Sequence, residues 1–105
     1  MKTYFIASQV TPLPDNPLIE KIEEAYVYFW IVDSSPEKAM DRAADYLSSY
    51  RWKLKSVDKG PTEVTAADFA DQEEGLTGFW RAKQKGFAAQ FVGKPKAGHM
   101  EPKKP

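Results

Sequence analysis

The segment Ala25-Tyr-Val-Tyr-Phe-Trp-Ile-Val-Asp33 places eight apolar or aromatic residues in a row and ends on an aspartate. That composition predicts a strand covered on both sides. A period of two sorts Ala25, Val27, Phe29 and Ile31 onto one face, and Tyr26, Tyr28, Trp30 and Val32 onto the other. Residues 2–10 predict another strand, rich in β-branched and aromatic side chains. Thr11-Pro-Leu-Pro-Asp-Asn-Pro17 separates the two; proline removes backbone donors and fixes φ, so this stretch predicts a loop.

After Asp33, Ser35 suits a helix cap and Pro36 the first helical position. Ala39, Met40, Ala43, Leu47 and Tyr50 then recur at helical spacing, predicting a helix to about Ser49. Trp52–Val57 alternates as a third strand. Asp58-Lys-Gly-Pro61 predicts a turn, with Thr62–Thr65 returning as a short strand. Thr65 and Asp68 have the spacing of a capping pair, and a second helical region, broken near Asp71-Gln72, carries Leu76, Phe79 and Trp80. Gly75 and Gly78 each weaken it by about 1 kcal/mol relative to alanine. Gly86 suits its C-terminal cap, and Phe87–Val92 predicts the last strand.

The order β-β-α-β-(β)-α-β predicts an α+β fold, an antiparallel sheet of four to five strands with two helices on one face. In its parts, though not their order, the list over residues 1–92 is similar to the ferredoxin-like sandwich family. A permuted or augmented relative is the nearest match, and the likeness implies no activity. Residues 1–92 form one domain on this reading. Residues 93–105, with four lysines against one glutamate, are expected to form a basic disordered tail.

Both helices on one face would leave Tyr26, Tyr28 and Trp30 on the other, too apolar to face water. Three covers are open: a second copy or another protein docked on the stripe, a ligand or single-stranded nucleic acid stacked on it, or the chain's own proline-rich loop or tail. Lys53 and Lys55 share a strand face that lies near the stripe on the nucleic-acid reading, and Trp80 with Arg81 forms a candidate protein- or anion-binding edge. A small-molecule pocket between the sheet and the proline-rich loop, lined by Tyr26, Tyr28, Trp30 and Arg81, is the alternative.

Composition narrows the chemistry. Fifteen basic and fifteen acidic residues cancel, which argues against nucleic acid and anionic membrane as partners. The absence of cysteine removes disulfides and thiolate chemistry, and favours a cytoplasmic setting. The apolar run at the start is too short for a signal peptide. The lone histidine, His99, falls in the expected tail, so no Ser–His or Cys–His machinery is available to the folded part. The acidic run Asp68, Asp71, Glu73 and Glu74 reads as a solvated helix start, since carboxylates favour that end of the helix dipole. No catalytic residue, metal or cofactor is expected. The sequence favours a non-enzymatic interaction module with itself or another protein as partner.

Overall fold

Four strands and two helices account for most of residues 1–96, the part of the chain that the computed structural model describes. Strands β1 (Lys2–Pro12), β2 (Ile22–Asp33), β3 (Trp52–Glu63) and β4 (Phe87–Pro95) form one antiparallel sheet in the order β3-β1-β2-β4. Helix α1 (Pro36–Ser49) joins β2 to β3; a 3-10 turn (Ala66–Phe69) and helix α2 (Glu73–Lys85) join β3 to β4. The class is α+β, as the pattern of elements predicts.

Helix α1 begins where Ser35 Oγ accepts the Lys38 amide at 3.2 Å, with Pro36 in its first turn. Its inner face, Ala39, Ala43 and Leu47, packs on Val27, Phe29 and Ile31 of β2 and on Ile6 of β1. The small alanines bring the helix close to large strand residues. Arg42 fastens it further, donating to the Val32 carbonyl at 2.8 Å and the Gly86 carbonyl at 3.3 Å.

Helix α2 does not join α1. Phe79 and Ala82 pack with Trp30, Phe69 and Ala88, on the opposite side of the sheet. The expectation of two helices on one face is therefore corrected: the layers run α1, sheet, α2. The Tyr-Trp stripe of β2 is apolar because it carries its own helix. The likeness to a two-layer ferredoxin-like sandwich ends at this point.

A second correction concerns β3. Asp58-Lys-Gly-Pro61 does not reverse the chain; β3 runs through it, and Thr62 and Glu63 pair with Phe5 and Tyr4 of β1. Gly60 takes φ +90, and the pairing with β1 shifts register three times. The strand thus bends without turning back, and no fifth strand forms among the described residues. Strand β4 extends to Pro95, so residues 93–95 belong to the sheet rather than to a tail. Residues 97–105, with His99, lie outside the described residues.

The proline-rich loop is anchored by buried Asn16. Its Nδ2 donates to the Arg51 carbonyl at 2.8 Å, and its Oδ1 accepts the Leu18 amide at 2.8 Å. Asp15 accepts from Arg51 Nε at 2.8 Å. These bonds hold the loop at the α1–β3 corner. Among the described residues no helix is long and apolar enough to cross a membrane.

Candidate functional site

Helix α2 covers the stripe unevenly. At one end Trp30 is 3% exposed, its benzo edge lying on Gly78, where a Cβ would fall 2.5 Å from Cε3. Phe69 comes down beside it, and Gly75 lets the first turn of α2 close over that ring. Phe5 of β1, directly opposite Trp30 in the pairing, completes an aromatic cluster: its ring lies 5.3 Å from Trp30, 5.4 Å from Phe69 and 6.2 Å from Tyr28. Towards the other end the helix has passed. Tyr28 is half-buried there, and Tyr26 is exposed.

Where the cover stops, a cleft of about 690 Å³ opens. Phe5, Tyr28 and Trp30 contribute from the sheet, Phe69 and Gly75 from the 3-10 turn and α2. Gln72, Glu73 and Glu74 bring polar groups from the helix start, and Gln90 and Val92 contribute from β4. Gln90 Nε2 donates to Glu74 Oε1 at 3.0 Å, tying helix to strand across the cleft. The indole Nε1 of Trp30 is buried and has no hydrogen-bond acceptor among the described residues. An orphaned buried donor costs about 1–3 kcal/mol.

The residues singled out from sequence thus separate. Tyr28 and Trp30 share the cleft; Tyr26 lies further along the same face. Lys53 is exposed on β3, and Lys55 donates to Glu24 Oε1 at 2.9 Å, with Lys94 on the other oxygen at 3.7 Å. The Lys55 hydrogen bond holds the Glu24 carboxyl below the ordinary carboxylate range. Trp80 and Arg81 line a shallow groove on α2 with Leu76, Thr77 and Gln84, and Arg81 also reaches the gap between α2 and β4. Neither lysine lines the cleft, and neither does Trp80 or Arg81.

A hollow between the sheet and the proline-rich loop does exist, on the α1 face and with other residues. It measures about 340 Å³, with Leu18, Ile22, Tyr46, Tyr50, Trp52 and Phe91 around Ala25 and Gly93. Burial, reinforced by Tyr50 alongside, raises the Tyr46 hydroxyl above its ordinary value.

Sequence reasoning missed Phe5, Phe69, Gln72, Gln90 and Val92. Phe5 was findable, because it shares strand parity with the face that β1 turns toward Trp30. Asp68, from the acidic run, accepts the Thr65 amide at 2.7 Å and caps the 3-10 turn. Among the described residues no three His, Asp or Glu side chains converge as a metal site would require. No family model, curated protein or solved structure matches the chain, so its chemistry is read from these side chains alone.

Proposed function

We propose that the protein is a non-enzymatic binding module whose working surface is the cleft beside Tyr28. The observation that carries this reading is the cleft itself, where the rings of Phe5, Tyr28, Trp30 and Phe69 meet the polar groups of Gln72, Glu73, Glu74 and Gln90. Ligand sites are commonly concave and apolar, with a few placed polar groups that fix orientation. Here the aromatic rings suit a planar apolar body. Glu73, Glu74 and the two glutamines suit a donor or a cation at the mouth. The same carboxylates disfavour an anion, which counts against nucleic acid.

The test is thermal unfolding in the presence of planar probes of matched shape: 3-aminoquinoline and adenine against quinoline-3-carboxylate. The two amines are expected to raise Tm, and the carboxylate to leave it unchanged. A probe at about a hundred times its Kd adds about 2.7 kcal/mol, a rise of roughly ten degrees in a domain of this size. Tyr28→Ala is expected to abolish the shift while the protein stays folded. No shift with any planar amine up to its solubility limit would overturn the reading.

A further inference from the structure

The sheet has two outer strands, and only one is defended. Strand β3 carries Lys53, Lys55, Asp58, Lys59 and Pro61 and three register shifts, features that stop an edge from templating another strand. Strand β4 has none of these from Phe87 to Gly93: the segment Phe-Ala-Ala-Gln-Phe-Val-Gly is uncharged and pairs with β2 without a shift. The Val32 amide donates to the Gly86 carbonyl at 3.1 Å. Antiparallel alternation then turns the backbone groups of Ala88, Gln90 and Val92 toward β2. Those of Phe87, Ala89, Phe91 and Gly93 point outward, with no strand beyond them among the described residues.

We infer that this edge pairs with β4 of a second copy, antiparallel about a two-fold axis at Gln90, joining the two sheets into one. The argument is the self-complementarity of the segment. In that register Phe87 meets the partner's Gly93, Ala88 meets the partner's Val92, and Ala89 meets the partner's Phe91. Large stands against small at every pair, and Gln90 faces its own equivalent across the axis. A shift by two residues in either direction sets phenylalanine against phenylalanine, and a shift by one sets outward-bonding residues against inward-bonding ones. Phe91 and Val92, 37% and 48% exposed in the single chain, gain a cover in the pair. Because Gln90 and Val92 also line the cleft, each copy's strand borders the other's cleft, but the pairing does not depend on any ligand.

The absence of cysteine makes the test direct. Gln90→Cys introduces a single thiol that opposes itself in a non-hydrogen-bonded pair, where Cα atoms stand about 4.5 Å apart, within disulfide reach. Mild oxidation is expected to give a covalent dimer. Ala88→Cys or Val92→Cys alone should remain uncrosslinked, and an equimolar mixture of the two should crosslink. Light scattering is expected to show a concentration-dependent dimer of the unaltered chain. Ala89→Pro removes an outward N–H that β2 does not use; it should weaken that dimer roughly tenfold or more, with the monomer's circular dichroism unchanged. A chain that stays monomeric at millimolar concentration, a dimer indifferent to Ala89→Pro, or crosslinking by Ala88→Cys alone would each overturn the inference.

Discussion

Gly78 shows how one residue sets the spacing between α2 and the sheet. A helix of this length ordinarily gains about 1 kcal/mol when an interior glycine becomes alanine. Here the added methyl would fall 2.5–2.7 Å from three atoms of the Trp30 indole, which is itself held among Phe5, Phe69 and Gly78. Overpacking of that kind costs about 1–3 kcal/mol. Gly78→Ala is therefore expected to destabilise the protein despite its better helix propensity, by about 1 kcal/mol in urea titration, and to alter Trp30 fluorescence. Gly75 stands in the same relation to Phe69. Read along the sequence, these two glycines merely weaken a helix. Paired with the large rings beneath them, they are the signal that α2 belongs on the Trp30 face.

At the scale of elements, local pattern was informative wherever local chemistry decides. The parity of β2, the Ser35 cap, the start of α1 and the left-handed Gly86 after α2 all follow from neighbouring residues. Two features do not. The side of the sheet on which α2 lands depends on a crossover that either face could accept. Whether Lys59-Gly-Pro61 reverses or bends depends on β1, which keeps pairing with Thr62 and Glu63 beyond it. The cleft was half legible for the same reason: Tyr28 and Trp30 are visible in the period of one strand, whereas Phe69 and Gln90 reach them only through tertiary packing. The loop before β2 offers an element-level prediction. Asn16→Ala removes the bonds to the Arg51 carbonyl and the Leu18 amide, and should cost about 1–3 kcal/mol. Hydrogen exchange of the Leu18 amide should quicken more than that of any β2 amide.

For the whole molecule, ion pairs tie the elements together: Asp15 with Arg51 and Glu24 with Lys55 and Lys94 across distant segments, Asp33 with Arg42 between β2 and α1. Each of the three carboxyls sits below its ordinary value. For Asp15 and Glu24 the leading cause is the hydrogen bond from the basic partner; for Asp33 it is the Ser34 amide, followed by Arg42. A carboxyl that titrates lower when folded contributes stability above its unfolded value and loses it as pH falls through the folded one. Stability is therefore expected to hold at neutral pH and to decline below the ordinary 4.5 of glutamate. Glu24→Gln should lower the neutral plateau slightly and make the acid decline shallower, as read from urea midpoints across that range. In each pair the basic partner stays largely in solvent, so each pair is individually weak and the decline should be gradual.

The distribution of the three tryptophans has a practical consequence. Trp30 lies beneath α2, Trp52 packs in the α1 layer against Phe91, and Trp80 stands half in solvent. The molecule therefore carries an intrinsic fluorophore in each of its two cores and a third as a solvent reference. Variants that keep one indole at a time turn emission into a separate readout of each layer, with the Trp30 signal also reporting on whatever enters the cleft.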